Sequence, residues 1–168
     1  MRAYPNFAET QGKIDAPLVD VFAFLDDQAN LSAHMSKPSV MMLGSTMNIH
    51  MEPDHTRRVG SRFGFTGRVL GIPLAVDEVV TAREPPLSKS WETTREPQLW
   101  VIGSYEMGFE LTAEQSQTGM RVHIGYDLPA SGLPRVLGRL FSRCYAKWCT
   151  GQMVSDARKH FSGQERPA

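Results

Sequence analysis

The sequence has few cysteines, no excess of either charge and no long apolar run, and each absence excludes a class of protein. Lysine plus arginine and aspartate plus glutamate both number 18, so the net charge is zero and we expect no nucleic-acid partner. No stretch approaches the roughly 18 apolar residues of a membrane span, and no basic and apolar leader stands at the start. We therefore expect a cytoplasmic protein with no integral membrane association.

The two cysteines and five histidines favour neither a disulfide nor a metal centre. Cys144 and Cys149 lie five residues apart on one predicted helix, which turns their side chains about 140° away from each other. Side chains placed so cannot meet the geometry of a disulfide, and we expect two reduced thiols. The spacing of cysteines and histidines is not that of metal ligands either. The sequence predicts no metal and no cofactor.

The spacing of apolar residues changes along the chain from one segment to the next. A strand over residues 7–14 precedes two short helices, which begin at Pro17 and near Ala29. From Val40 onward apolar and polar residues alternate between short turns, as in an antiparallel meander. From Pro134 to Phe161 the helical period returns, for a length of about 42 Å.

These elements predict an α+β protein. We expect a curved antiparallel sheet of about seven strands wrapped around a long C-terminal helix, with two short helices after the first strand. The expected arrangement is a single domain over residues 1–168, with an ordered core from about residue 5 to about residue 162.

The predicted long helix has an apolar stripe that we expect to face the sheet. Its members recur three, four and seven residues apart and are Leu133, Leu137, Leu140, Phe141, Cys144, Trp148 and Gly151. A sheet that covers so long a stripe has to curl around it, and a curled sheet closed by a helix tends to enclose a cavity. The pattern therefore favours the binding of an apolar small molecule.

Three segments of the chain resemble the START-like superfamily, also called SRPBCC, whose members have the helix-grip fold. The passage from the first strand into the first helix reads IDAPLVDVFAFLDD, the Pro-Pro turn and Trp-bearing strand read DEVVTAREPPLSKSWET, and the last hairpin reads YEMGFELTAEQSQTGMRVHIGYDLP. The resemblance covers nearly the whole chain. It implies a deep cavity between the sheet and the last helix, used in the family for sterols, lipids, quinones, flavonoids or polyketides.

The chain departs from two subfamilies of this group. Coenzyme Q-binding members have a Pro-Trp-Cys-like stretch after the first helix, where this sequence reads LSAHMSKPSVMM. Ring-hydroxylating oxygenase members need two histidines and an acid in the cavity, and the histidines here do not have that spacing. The resemblance therefore implies the fold and a class of apolar ligands without selecting one chemistry.

The inward faces of the predicted strands and of the long helix supply the candidate ligand-binding residues. We expect them to be Met41, Leu43, Met47, Phe63, Phe65, Val76, Glu78, Trp91, Tyr105, Met107, Phe109, Val122, Ile124, Tyr126, Leu137, Phe141, Cys144 and Trp148. Methionine suits a surface that must fit several apolar shapes, because its side chain is flexible and polarizable. Ordinary core packing is the alternative for each residue, and the aromatic members could fill the interior completely.

Glu78 is the candidate catalytic residue, since it lies in phase with apolar neighbours. Burial would raise the pKa of its carboxyl and suit it to act as a general acid or base. A phase error of one residue would instead put Glu78 on the surface, and the sequence favours that simpler interpretation. Cys144 is expected to be an apolar filler rather than a nucleophile, because no histidine and acid pair is placed to activate it.

Three functions are compatible with this sequence. The first is a carrier or sequestering protein for a hydrophobic small molecule, acting as a monomer or weak homodimer. The second is an enzyme of the polyketide cyclase/dehydrase type that uses acid/base residues in the same cavity. The third is an interaction module similar to the chaperone-activator relatives, which the absence of a predicted exposed apolar stripe makes the least favoured. Whether the chain is an enzyme stays open.

Overall fold

A computed structural model describes residues 3–33, 47–69 and 71–163 of the chain. Its elements in chain order are β1 (Asn6–Ile14), α1 (Leu18–Asp26), α2 (Gln28–Leu31), β2 (Met47–Met51), β3 (Arg62–Val69), β4 (Ile72–Glu84), β5 (Ser88–Thr93), β6 (Tyr105–Glu114), β7 (Gln117–Tyr126) and α3 (Gly132–Ser162). The two short helices after β1 and the long C-terminal helix are those that the sequence predicts.

The seven strands form one antiparallel sheet in the order β1-β7-β6-β5-β4-β3-β2. Strands from β2 to β7 pair with their neighbours in sequence, and β1 pairs with β7. The pairing of β4 with β5 shifts its register between Val80 and Ala82, and such a bulge increases the local twist of a strand. Helix α3 packs against β1 and β7. The predicted α+β class and helix-grip architecture are confirmed.

Strand β7 illustrates how the alternating sequence sets the two faces of the sheet. Thr118, Met120, Val122, Ile124 and Tyr126 are buried, and the residues between them are partly exposed. Successive side chains of a strand point to opposite faces, so this period of two places the apolar set inside. The same alternation on β4 and β6 builds the concave inner surface.

A buried cluster of charges ties the end of α1 to the sheet. Asp26 accepts two hydrogen bonds from the guanidinium of Arg83, at 2.9 and 2.8 Å. The Lys89 ammonium, which is fully buried, donates to the backbone oxygen of Asp26 at 2.6 Å and to the hydroxyl of Thr56 at 2.9 Å. Its Nζ also lies 3.6 Å from the Asp26 carboxylate. Buried charges are costly unless they are paired in this way, and here every charge of the cluster has a partner.

Two boundaries differ from the predicted ones. The sequence predicts a strand from Leu99 to Thr112, whereas β6 begins at Tyr105. The segment before it turns across the end of β7 instead, where the Gly103 amide donates to the Asp127 carbonyl at 2.8 Å. A Cβ on Gly103 would lie 2.8 Å from the Leu128 carbonyl oxygen, so only glycine allows this approach. The second helix is predicted from about Ala29 to Met35, whereas α2 ends at Leu31. The strand predicted from Val40 to Met51 includes β2, and its part over 40–46 lies outside the described residues.

Helix α3 buries a different face from the predicted one. Leu133, Leu140 and Phe141 are 65%, 67% and 51% exposed, and Cys144 is exposed as well. The buried face is instead composed of Gly138, Ser142, Ala146, Cys149, Thr150, Met153, Val154 and Ala157. Most of these side chains are small, because the helix backbone lies close to its neighbours. A Cβ on Gly138 would lie 2.9 Å from the Pro129 ring. Any side chain at this position would therefore push the helix away from its neighbours.

Candidate ligand-binding site

The interior between the sheet and α3 contains a small cavity of about 50 Å³. Its walls come from α2, the inner face of the sheet, the segment before β6 and α3, and they include Gln28, Ser32, Val76, Glu78, Trp91, Leu99, Ile102, Tyr105, Met107, Ile124, Tyr145, Cys149 and Met153. This volume has room for about one or two water-sized groups, whereas ligand sites usually measure about 300–1,000 Å³. The side chains that form the cavity walls therefore occupy most of the space between the sheet and α3.

Glu78 is the most unusual residue of these walls. The strand phase of β4 puts it between the buried residues Val76 and Val80, and it is 1% exposed. The hydroxyl of Tyr105 donates a hydrogen bond to its Oε1 at 2.9 Å. No hydrogen bond from the described residues reaches its Oε2. The predicted inward position of Glu78 is therefore correct, and the simpler surface position is wrong.

The protonation of Glu78 follows from this environment. Burial raises the pKa of its carboxyl to about 8, although the Tyr105 hydroxyl and the Trp91 indole oppose that shift. At neutral pH the carboxyl is therefore mostly neutral. Because Oε1 accepts from Tyr105, the proton belongs on Oε2. The Oε2 group of Glu78 is thus a neutral hydrogen-bond donor that has no acceptor among the described residues.

Tyr105 is held in its donor form by the same surroundings. Burial, and next the adjacent Glu78, raise the pKa of the Tyr105 hydroxyl well above its usual value. Its backbone amide donates to the Thr93 hydroxyl at 3.2 Å, which fixes the start of β6 against β5. The Tyr105 hydroxyl is therefore a fixed donor that orients the Glu78 carboxyl.

Other polar groups line the cavity around this pair. The Gln28 amide donates to the Ser32 hydroxyl at 3.3 Å, and its buried Oε1 has no partner among the described residues. Tyr145 is hydrogen-bonded to Cys149, and burial raises the pKa of that thiol to about 12. A thiol with so high a pKa is not a nucleophile at neutral pH.

The predicted ligand-binding residues divide into four groups. Six line the cavity, namely Val76, Glu78, Trp91, Tyr105, Met107 and Ile124. Six are buried in the core, namely Met47, Phe63, Phe65, Phe109, Val122 and Tyr126. Four belong to α3, where Leu137 and Trp148 are half-buried and Phe141 and Cys144 are exposed. Met41 and Leu43 lie outside the described residues.

The prediction that Phe141 and Cys144 face the cavity is wrong, because α3 turns its small-residue side to the sheet. The residues of α3 on the cavity wall are Tyr145, Cys149 and Met153. They recur every four residues, which is the spacing of one helix face. The sequence contains this signal, because the spacing is visible once small and medium-sized side chains are counted with the most apolar ones. No pattern in the sequence marks Gln28.

A larger depression of about 660 Å³ also includes Glu78 in its lining, but it is a weaker candidate because most of its other lining residues are charged or polar. Its lining includes Asp77, which already pairs with Arg95 and lies 3.6 Å from the imidazole of His50. Such solvated, internally paired charges need no ligand. Within the described residues, no cluster of histidine, cysteine and acidic side chains has the form of a metal site. The interior cavity with Glu78 is therefore the candidate site.

Comparison with known proteins gives a consistent answer at the level of fold. No protein-family model matches the chain, and no curated protein matches its sequence. The solved structure of the Zhui aromatase/cyclase from a Streptomyces species superposes with a TM-score of 0.71 at 12% identity, covering 96% of both chains. A Thermus thermophilus protein superposes with a TM-score of 0.69 at 12% identity, covering 96% of this chain and all of its own.

A plant protein extends the comparison. The major latex-like protein 151 of Panax ginseng superposes with a TM-score of 0.56 at 15% identity, covering 93% of this chain and 97% of its own. All three likenesses extend over nearly the full length of both chains, so they concern the whole sheet and the long helix. The chain therefore has the helix-grip fold that these structures share.

Proposed function

We propose that this chain binds a small apolar molecule that carries a neutral oxygen, and that it carries or sequesters that molecule in the cytoplasm. The observation that supports this most directly is the buried Oε2 of Glu78, a residue of the cavity wall, because this atom has no hydrogen-bond partner among the described residues. A ligand carbonyl or hydroxyl oxygen would accept a hydrogen bond from the neutral carboxyl. A buried polar group without a partner costs free energy, and the ligand would remove that cost.

The rest of the ligand would be held by apolar burial, worth about 25 cal/mol per Å² of surface. The present cavity is too small for more than the polar end, so the walls would have to open. Met107 and Met153 line it, and their flexible side chains can move at little cost. The likeness to an aromatase/cyclase is compatible with a ligand of this chemical class.

The first experiment identifies what the protein holds when it is purified. We expect native mass spectrometry followed by solvent extraction to recover a neutral, apolar, oxygen-containing compound. A mass without ligand, together with no binding of 2-acetonaphthone in titration calorimetry, would contradict the proposed function.

A matched pair of probes tests the role of Glu78. 2-Acetonaphthone and 2-naphthoate have nearly the same shape, but the first offers a neutral carbonyl and the second a carboxylate. We expect 2-acetonaphthone to bind at least about tenfold more tightly at pH 7, since the carboxylate would be desolvated beside a buried acid. We expect Glu78→Leu to weaken the binding of 2-acetonaphthone, because the variant has no donor for the carbonyl oxygen. The control Glu106→Gln, on the other face of the sheet, should bind 2-acetonaphthone as the wild type does.

An enzyme that uses Glu78 as a general acid is the second candidate, and the raised pKa of this carboxyl favours it. Exchange of the α-protons of 2-tetralone for deuterium would report such acid/base chemistry. If the chain is an enzyme, it should accelerate this exchange, and Glu78→Gln should abolish the acceleration while 2-acetonaphthone still binds. For a carrier we expect no exchange above the rate in buffer.

A further inference from the structure

Helix α3 leaves an apolar surface uncovered on the side away from the sheet. We call this surface the outer stripe, and its residues are Leu133, Val136, Leu140 and Phe141, each more than half exposed. Large exposed hydrophobic residues elsewhere in the described part of the chain are dispersed over separate strands, helices and turns. The outer stripe instead places its four side chains within about 12 Å of helix length. The sequence predicts no exposed apolar stripe, and the exposure of these four side chains shows that this expectation is wrong.

A row of positive charge runs beside the outer stripe. We call it the basic edge, and its residues are Arg139, Arg143 and Lys147, all exposed. They lie four residues apart, so they form one line along the helix that turns by only about 40° per step. None of the three pairs with an acid among the described residues. The first acidic residue of α3 is Asp156, well beyond this half of the helix.

This charge pattern decides which partner the outer stripe fits. In a symmetric antiparallel pair of α3 helices that met through this surface, the basic edges of both copies would lie on the same side and close together. Like charges across an interface oppose association, and the charges of α3 provide no acidic row to offset them. An anionic lipid surface satisfies both features at once, because apolar side chains enter the boundary of the acyl chains while arginine and lysine reach the headgroups.

We propose that the outer stripe and the basic edge dock this protein on the surface of an anionic lipid bilayer. The helix would lie in the plane of the interface, with its opposite face still packed on β1 and β7. No helix within the described ranges is long and apolar enough to cross a membrane, so the attachment is peripheral and reversible. This proposal goes beyond the proposed function and does not depend on the identity of the cavity ligand.

Vesicle sedimentation tests the docking directly. We expect the full chain to bind vesicles of phosphatidylcholine and phosphatidylglycerol at a ratio of about 3:1, to bind pure phosphatidylcholine weakly, and to be released by added salt. Arg139→Gln combined with Arg143→Gln should weaken binding to the anionic vesicles roughly 30-fold, as the removal of two basic residues near a lipid surface predicts. Arg62→Gln with Arg68→Gln on β3 changes the net charge equally and should leave binding within about twofold.

The apolar part is tested by Leu140→Glu with Phe141→Glu. We expect at least about tenfold weaker binding to the anionic vesicles, with an unchanged circular dichroism spectrum because both side chains are exposed. The control pair Val59→Glu and Leu87→Glu, also exposed, should bind as the wild type does after correction for charge. The proposal would be overturned if the Leu140 and Phe141 variant and the Val59 and Leu87 variant lost vesicle binding equally. Equal binding of the wild type to neutral and anionic vesicles would also overturn it. A wild-type dimer in sedimentation equilibrium that the Leu140 and Phe141 pair breaks would overturn it in favour of a second copy.

Discussion

Asp26 and Glu78 are both buried acids on the inner side of the same sheet, yet their surroundings differ completely. Burial acts to raise the pKa of Asp26, but the hydrogen bonds from Arg83 and the charge of Lys89 outweigh it and the net shift is downward. Glu78 has no cation beside it, and burial raises the pKa of its carboxyl to about 8. One acid is ionised and fully paired, and the other is neutral with an oxygen left over.

This difference separates a group that holds the fold from one that is available to a ligand. The Asp26 cluster joins α1 to β4 and β5, and all its charges are satisfied inside the protein. Glu78 borders a cavity and keeps one hydrogen bond unmade. Removing Asp26 should therefore lower the free energy of unfolding alone, whereas changes at Glu78 should alter both the free energy of unfolding and ligand binding.

The largest effect should come from Asp26→Asn. The change leaves the buried Lys89 ammonium without its counter-charge, and breaking a buried pair from one side costs about 3–5 kcal/mol. We expect urea denaturation at pH 7 to show a loss of about 4 kcal/mol in the free energy of unfolding. The external acid Asp77, which pairs with Arg95 on the surface, is the matched control, and Asp77→Asn should cost less than about 1 kcal/mol.

A second variant keeps this prediction testable if Asp26→Asn does not fold. Lys89→Met removes the buried charge as well, so the double variant with Asp26→Asn should recover part of the lost stability. Similar losses for Asp26→Asn and Asp77→Asn would show that the cluster does not hold α1 in place.

The next effect is a pH dependence that belongs to Glu78. Its folded-state pKa of about 8 is above the ordinary 4.5, so the folded chain keeps a proton that the unfolded chain releases between these values. The free energy of unfolding should therefore fall as the pH rises from about 5 to about 8, by roughly 3 kcal/mol from this residue alone. Glu78→Gln cannot ionise, so the difference between the two proteins should grow with pH.

Urea denaturation of both proteins at several pH values isolates this contribution, because their other titrating groups cancel in the difference. Glu106→Gln on the other face of β6 should show no such divergence from the wild type. A constant difference between wild type and Glu78→Gln across this range would mean that Glu78 ionises normally in the folded chain.

The sheet of this protein could be predicted from its sequence, and the face of its long helix could not. Alternation assigns each residue of β7 to a side, because any shift by one residue would expose the whole apolar set. Glu78 follows the same phase, which predicts an inward position, whereas its charge alone predicts a surface position. The strand phase is the stronger signal because all residues of β4 share it.

The buried face of α3 is predicted wrongly because two faces of this helix could pack on the sheet, one apolar and one lined by small residues. The outer stripe is more apolar than the face that packs on β1 and β7, so hydrophobicity alone selects it. Burial followed small size instead, since Gly138 lies where a Cβ would meet Pro129 at 2.9 Å. The size of the cavity was equally beyond the sequence, because it depends on how Trp91 and its neighbours pack and not on which residues face inward.

The smallest effect should come from Tyr105→Phe, which removes the donor to Oε1 of Glu78. An unsatisfied buried acceptor costs about 1–2 kcal/mol, and we expect that loss at pH 5, where the carboxyl is protonated in both proteins. The Tyr105 hydrogen bond also lowers the pKa of Glu78, so its loss should extend the fall in stability to higher pH.

Tyr126→Phe is the matched control, since that hydroxyl is also buried but contacts the Ser142 hydroxyl only at 3.4 Å. It should cost less than Tyr105→Phe and leave the pH at which stability falls unchanged. If the two variants shifted this pH equally, the Tyr105 hydroxyl would not be what orients the Glu78 carboxyl. The carboxyl would then be held by its apolar surroundings alone, and the Tyr105 side chain would act only as part of the cavity wall.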